Sequence, residues 1–221
     1  MPLYTADALI LRTYKLGEAD RIVVFLTRDR GKKRGVAKGA RRARSRFVGA
    51  LEPLTEVRVA YFEKETRELV GLNYAETVRS PLAHVTDAIG YVGYFAELLD
   101  EWAQEADADD RLYRLGASML DAMAAGAPVE PLARYFEYWL LRLQGVYPES
   151  RGTLSPGAVA FLTASRSVGP DRVGELAVEP RALTELENVH RTLIATHLEK
   201  TLKSDRVLRD LRRPPRNTST A

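Results

Sequence analysis

The apolar residues of the first 80 positions follow the two-residue period of β-strands. Val57, Val59 and Tyr61 alternate with polar or smaller neighbours, which is typical of a strand with one buried face. The other apolar runs are short, rich in branched side chains and separated by turn residues such as Gly17 and Gly31. We predict five strands, at residues 8–13, 21–27, 32–37, 54–62 and 69–78. Five short strands within about 80 residues favour a small closed barrel, and the five-stranded oligonucleotide-binding (OB) fold is one such architecture.

After Ser80 the apolar period changes to 3.6 residues, which indicates helices. Ser80 is a suitable helix cap, and Pro81 suits the first helical position. We predict helices at residues 81–102, 110–125, 129–144, 156–164, 180–203 and 204–211. Segments rich in Gly, Pro, Ser and Arg, at 147–156 and 165–180, are predicted loops. The predicted fold is therefore α+β, with an OB barrel at 1–79, an all-helical domain at 80–212 and a disordered tail at 213–221.

Composition limits the class of protein. The chain has 221 residues, of which 45% are hydrophobic and 29% charged, which is enough apolar material for a packed core. It contains no cysteine, which excludes disulfides and thiolate metal sites. The first residues lack the pattern of a signal peptide, and no apolar run approaches the roughly 20 residues that span a bilayer. We expect a cytoplasmic, nucleoid-associated protein.

Charge is strongly segregated along the chain. Residues 28–46 contain ten Lys or Arg and a single acid, Asp29, so this run carries +9 while the rest of the chain sums to −6. Like charges this dense repel one another unless a polyanion neutralises them, although an ordinary solvated run remains the alternative. We predict that the run binds nucleic acid through Lys32, Lys33, Arg34, Lys38, Arg41, Arg42, Arg44 and Arg46. Aromatic residues that we consider for base stacking are Tyr14, Phe25, Phe47, Tyr61 and Phe62.

Two further charged segments lie in the helical half. Residues 97–110 hold seven acids and no base, which suggests a face left free for protein contacts. Residues 200–216 hold seven bases and two acids. A second nucleic-acid contact is predicted there, at Lys203, Arg206, Arg209 and Arg213. Attraction of bases to a helix C-terminus is a sufficient alternative explanation for several of them.

Aromatic residues crowd the third predicted helix. Phe136, Trp139 and Leu140 share an apolar stripe with Leu143, which we expect to be buried. Off that stripe lie Arg134, Tyr135 and Tyr138. An arginine beside an apolar groove can hold the carboxylate of an acidic peptide while the groove takes an aromatic side chain. Core packing is the alternative for the whole set.

No catalytic or metal-binding pattern is present, so the chain is not predicted to be an enzyme. His84, His190 and His197 are the only histidines. The last two are seven residues apart on one helix, too far for joint metal ligation without a third element. We expect all three at helix surfaces or boundaries.

Residues 36–42 (Val-Ala-Lys-Gly-Ala-Arg-Arg), followed by Gly49-Ala-Leu-Glu-Pro53, resemble the N-terminal barrel of the RecO recombination mediator family. Weaker matches span most of the chain, at residues 8–13, 17–20, 134–137 and 202–204. The resemblance implies an OB barrel joined to a helical domain. It also implies a protein that binds single- and double-stranded DNA, anneals complementary strands and, together with RecR, helps a recombinase load onto coated single strands.

In this family the helical domain engages the acidic tail of the single-stranded DNA-binding protein (SSB). Carried over, Arg134 and Phe136, with Tyr135 and Tyr138 beside them, are the expected tail-binding residues. Many relatives carry a four-cysteine zinc module after the third helix, whereas this chain has no cysteine in the corresponding segment, near 147–180. We therefore expect no zinc and no other cofactor. An RNA-binding or ribosome-associated OB-fold protein is the alternative, because the basic run would act in the same way.

Overall fold

The first 79 residues form a closed five-stranded barrel. The computed structural model describes residues 2–64, 66–81, 88–148 and 154–211. The strands are β1 (Leu3–Leu16), β2 (Asp20–Thr27), β3 (Gly31–Ala37), β4 (Glu56–Phe62) and β5 (Val70–Arg79). They close in the order β1-β2-β3-β5-β4, and β3 pairs with β5 in parallel while every other pair is antiparallel. The predicted OB-fold barrel is confirmed.

β1 is longer than the sequence pattern predicts because it serves two partners. Residues 3–9 pair with β4, residues 8–16 pair with β2, and the register shifts between Ile10 and Arg12. A strand that turns a barrel corner in this way changes its exposed face along its length, so a two-residue period identifies only its middle.

Six α-helices follow the barrel in the described part of the chain. They are α1 (Ile89–Trp102), α2 (Asp110–Ala124), α3 (Val129–Leu143), α4 (Pro156–Ala164), α5 (Pro180–Leu198) and α6 (Lys203–Leu211). The predicted all-helical second half is confirmed. The predicted start of the first helix, just after Pro81, runs into residues 82–87, which lie outside the described residues, as does the predicted tail at 213–221.

Two local predictions in the helical half were wrong. The predicted loop at 165–180 contains a 3-10 helix, Pro170–Glu175. α5 ends at Leu198 rather than near Lys203, because Glu199 adopts a left-handed backbone conformation with φ of 53°. The first amides of α6 are then satisfied from another helix, since the Glu97 carboxylate of α1 accepts hydrogen bonds from the backbone N–H groups of Lys203 (3.0 Å) and Ser204 (2.7 Å).

The outer face of β1 and β2 shares a hydrophobic core with the helices, separate from the core inside the barrel. The inward side chains of the strands, such as Ile10 and Phe25, fill the barrel, while Leu9, Val24 and Leu26 point outward into a second core formed mainly by the helices. Both faces of β1 and β2 are therefore buried, which explains the unbroken apolar run of β2. In α2, Gly116 provides the room for this packing, because a Cβ there would collide with Leu9 and Leu99.

A buried carboxylate ties the barrel to α1. Asp100 is only 4% exposed and forms ion pairs with Arg12 of β1 (2.9 Å) and Lys32 of β3 (3.4 Å). The Lys32 ammonium also donates to the Asp100 carbonyl oxygen at 2.6 Å. We call these three residues the Asp100 cluster. Backbone hydrogen bonds extend it, from Lys32 N–H to the Gln104 oxygen (3.0 Å) and from Ala106 N–H to the Lys32 oxygen (3.2 Å).

A second polar contact joins the barrel to α2. Glu56 of β4 accepts a hydrogen bond from the Tyr113 hydroxyl (2.8 Å) and pairs with Arg79, which also binds Asp121. Burial, and then the bond to Glu56, raise the pKa of Tyr113 above its usual range.

Arg28 pairs with Asp110 at 2.9 Å. The acidic segment 97–110, which the sequence analysis interpreted as a face free for protein contacts, thus uses Glu97, Asp100 and Asp110 within the molecule.

α3 is buried almost all round, which contradicts the predicted stripe. Arg134, Tyr135, Phe136 and Tyr138 are 3%, 7%, 0% and 1% exposed. Trp139 and Leu143, predicted to be core residues, are only partly buried. The reason is that α3 packs against α2, α5 and the 3-10 helix together, so side chains away from the apolar stripe also meet a neighbour.

Charged groups buried beside α3 compensate one another. The Glu137 carboxylate pairs with Arg134 (2.9 Å) and accepts from the Tyr94 hydroxyl (2.7 Å). His190 places Nδ1 2.9 Å from the other Glu137 oxygen and is itself fully buried, so its predicted surface position was wrong. Desolvation, and next the Glu137 charge, raise the pKa of Tyr94 well above its usual range.

The other two histidines are simpler. His197 stacks on Trp102, with ring centroids 5.6 Å apart, and is exposed as expected. His84 lies outside the described residues. Across the described ranges, no three His, Asp or Glu side chains are grouped so as to hold a metal ion. None of the helices described is both long and apolar enough to cross a membrane.

Replacement of Arg134 by alanine is expected to destabilise the fold by about 3–5 kcal/mol, because it leaves the Glu137 carboxylate buried without its cation. Urea denaturation measures the change. Arg111→Ala, a change at an exposed position of α2, is the control and should stay within about 0.5 kcal/mol of the parent. An Arg134→Ala protein as stable as this control would contradict the assignment.

The contact between the barrel and the helices can be tested at Gly31. This residue has φ of +67°, and a Cβ would overlap the backbone of Asp107. Gly17 has a similar φ, +56°, but open space around it. Gly17→Ala should therefore cost only backbone strain, about 1–2 kcal/mol, whereas Gly31→Ala should cost about 1–3 kcal/mol more. Equal decreases in the free energy of unfolding for the two variants, measured by urea denaturation, would show that the backbone at Asp107 shifts to accommodate the added methyl group.

Candidate nucleic-acid interface

The basic run begins in the β2–β3 turn, continues along β3 and ends in the connection that leads from β3 to β4, residues 38–55. This connection is packed in place: Phe47 and Leu51 are buried in the barrel core, and Leu54 is buried in the core shared with the helices. At its start, Gly39 has φ of +70° and donates its N–H to Asp20 Oδ1 at 2.8 Å. The arginines of the connection therefore project from a packed scaffold.

Three cations predicted to bind nucleic acid have partners within the protein. Lys32 belongs to the Asp100 cluster, and Lys33, which is 13% exposed, pairs with Glu63 at 2.7 Å. Arg41 donates to the carbonyl oxygens of Gly17 (2.9 Å) and Glu18 (2.8 Å) and so braces the β1–β2 hairpin. We leave these three out of the proposed contact surface.

The other five cations are exposed and have no ion pair with any described residue. They are Arg34, Lys38, Arg42, Arg44 and Arg46. The guanidinium of Arg46 lies 5.2 Å from the centroid of the Phe47 ring, which orients it without neutralising it. An array of uncompensated cations on a rigid support is suited to a phosphate backbone.

Two cations that the sequence analysis missed extend this array. Lys64 and Arg67 lie in the β4–β5 connection and line a groove of about 320 Å³ together with Lys38 and Arg46. We call this the cationic groove. In the sequence Lys64 and Arg67 stand among Glu63, Glu65 and Glu68, so no basic cluster is visible. The parallel pairing of β3 with β5 brings them beside the basic run.

Most of the aromatic residues considered for base stacking are inside the barrel. Phe25, Phe47 and Tyr61 are at most 2% exposed. Burial raises the pKa of Tyr61 to about 12. Tyr14, 41% exposed, and Phe62, which lines the cationic groove, are the two candidates that reach the surface.

The second predicted basic contact lies on α6, which packs against α1. Lys203 and Arg206 are exposed there. The side chain of Arg209 and all of Arg213 lie outside the described residues. The nearby Lys200 is paired with Glu101.

The residues predicted to bind the SSB tail do not form an open groove. Arg134 is paired with Glu137 and, at 3.5 Å, with Glu187, and its aromatic neighbours Tyr135, Phe136 and Tyr138 are buried. A peptide carboxylate has no access to this guanidinium in the described fold.

Packing holds the segment near 147–180, for which the family resemblance implied a cysteine-free counterpart of a zinc module, where this segment is described. Tyr147 packs edge-on against Tyr138, with ring centroids 5.0 Å apart, and its hydroxyl lies 3.3 Å from His190 Nε2. Ser155 caps α4 and donates to Glu185 of α5. Residues 149–153 lie outside the described residues.

Comparison with known proteins matches both halves of the chain. The family model "Recombination protein O N terminal" matches residues 1–81, and "Recombination protein O C terminal" matches residues 84–153. A DNA repair protein RecO from Koribacter versatilis is 40% identical over 66% of this chain, but only 61% of that relative's length is covered.

Other relatives align over nearly their whole length. DNA repair protein RecO from Geobacter metallireducens is 31% identical, over 90% of this chain and 93% of its own length. The RecO protein of Pelotomaculum thermopropionicum is 30% identical, over 92% of this chain and 93% of its own length. With both family models matched and these alignments extending through the barrel and the helices, the chain belongs to the RecO family of DNA repair and recombination proteins.

Proposed function

We propose that this protein is a recombination mediator that binds single- and double-stranded DNA through the exposed cations of the barrel. The observation that carries the proposal is the set of cations without acidic partners on and after β3, at Arg34, Lys38, Arg42, Arg44 and Arg46. Membership of the RecO family supports DNA as the polyanion. Contacts to phosphates position a strand without reading its sequence, which suits a general repair factor.

Annealing follows from the same electrostatics. Two complementary strands repel each other through their phosphates, and a shared cationic surface lowers that repulsion. The protein thereby raises the rate at which the strands meet and pair. This role needs no catalytic group, and we propose that the protein is neither an enzyme nor dependent on a metal or cofactor.

We further propose that the protein acts in the cytoplasm with RecR and with the tail of SSB to load recombinase onto coated single strands. This part rests on family membership. We do not assign the tail contact to Arg134, Tyr135, Phe136 or Tyr138, because their burial leaves no surface for a peptide. We assign a second DNA contact to Lys203 and Arg206 of α6, since both are exposed.

Salt dependence of binding tests the charge-based proposal. Four alanine replacements, at Lys38, Arg42, Arg44 and Arg46, should weaken binding to a single-stranded oligonucleotide. They should also reduce the slope of log affinity against log salt by about 3, since each phosphate contact contributes about 0.7 on a single strand. Fluorescence anisotropy at several salt concentrations measures both effects.

The control removes the same charge elsewhere. Arg111, Arg114, Arg172 and Arg181 are exposed on the helical domain, and their replacement by alanine should leave the slope unchanged. If both quadruple variants lose the same slope, net charge alone governs binding and the barrel surface has no special role.

Strand annealing tests the mediator role. With complementary oligonucleotides coated by SSB, the parent protein should accelerate duplex formation, and the barrel variant should lose most of that acceleration while the helical control keeps it. Fluorescence quenching of a labelled pair follows the reaction. A parent protein that binds structured RNA more tightly than single-stranded DNA in direct competition would instead favour the RNA-binding alternative.

A further inference from the structure

The cationic groove combines charge with an apolar floor. Lys38, Arg46, Lys64 and Arg67 supply four cations to its lining, and Asn73 supplies an amide. Val36, Phe62 and Leu69 supply apolar surface between them, and no acidic side chain of the described chain lines it. A purely phosphate-binding surface does not need an apolar floor, because phosphate oxygens gain nothing from apolar contact.

Gly71 keeps this groove open. It lies opposite Phe62 on neighbouring strands, and a Cβ built on Gly71 would meet no atom within 4 Å. Its neighbours Val70 and Leu72 are buried in the barrel core, so position 71 faces outward. Any larger residue here would occupy the groove and would lie beside the half-buried ring of Phe62.

Given the proposed DNA-binding function, on which this inference rests, we propose that the cationic groove holds an unstacked base of a single strand. The base lies over the apolar floor beside Phe62, and the cations hold the phosphates on either side of it. The positive charge of the lining suits the phosphates of a nucleic-acid strand. The apolar floor suits the bases, because they are flat and poorly solvated.

The groove therefore distinguishes single strands from duplex. In a duplex the bases are stacked and paired, so they cannot reach an apolar floor without being flipped out at a cost of a few kcal/mol. Arg42 and Arg44, which do not line the groove, serve both kinds of DNA. These two arginines thus add affinity for phosphates without adding to the preference for single strands, which resides in the groove.

An abasic oligonucleotide separates the two contributions, because it keeps the phosphates and lacks the bases. The parent protein should bind oligothymidine about tenfold or more tightly than an abasic strand of equal length, as expected for at least one stacked base. Gly71→Ile fills the groove with a residue suited to a strand, and it should reduce this ratio to near one while leaving affinity for the abasic strand unchanged.

Thr77→Ile is the matched control. It places the same side chain at an exposed position of β5 that does not line the groove, and it should keep the ratio of the parent. Phe62→Leu, which keeps apolar bulk but removes the aromatic ring, should give an intermediate ratio and covers the case in which Gly71→Ile does not fold. Circular dichroism checks that the variants fold.

The outcomes are distinct. If Gly71→Ile and Phe62→Leu both fold and retain the ratio of the parent, the groove does not hold a base, although DNA binding through phosphates would stand. If the parent itself does not prefer bases over the abasic strand, the inference also fails. Absence of binding to either strand would overturn the proposed function.

Discussion

The covering of the outer face of β1 and β2 is the constraint on which this molecule depends. Leu9, Leu11, Val24 and Leu26 point away from the barrel interior and yet are buried, because the first two helices lie over them. An OB barrel normally exposes much of its outside to water, and here one side is committed to the helices. The side that remains free is the one that carries the arginines after β3.

This packing also decides which charges are available. Lys32 sits where β3 meets the chain just after α1, so its ammonium is drawn to buried Asp100 rather than to solvent. Lys33 faces Glu63, and Arg41 closes the neighbouring hairpin. A uniform basic run in the sequence thus divides into residues that assemble the fold and residues that can meet an external anion. The division depends on neighbours supplied by distant parts of the chain.

Apolar patterning together with turn residues was enough to predict five strands, the six described helices and a small closed barrel, for which the OB fold was one candidate architecture. It failed where burial comes from several sides at once. α3 is surrounded, so Arg134 and Tyr138 are as buried as Phe136, and a stripe of helical period cannot describe them. His190 is buried because Glu137 and Tyr147, 53 and 43 positions away, supply its partners.

The groove was beyond the sequence for a similar reason. Lys64 and Arg67 are diluted by acids in the sequence, and only strand pairing brings them beside Lys38. The SSB-tail assignment shows a different source of error. Residues assigned a binding role from the family resemblance can be residues that this chain uses to stabilise its interior.

The shared core has a consequence for how the chain may be divided. The two family models meet between residues 81 and 84, close to the end of β5, which looks like a natural place to cut. A barrel excised there would carry the bare leucines of β1 and β2 on its surface, an apolar patch that favours self-association. Because the two halves share this core, we expect the barrel and the helices to unfold as one unit. The boundary between the two family models therefore need not be a folding boundary.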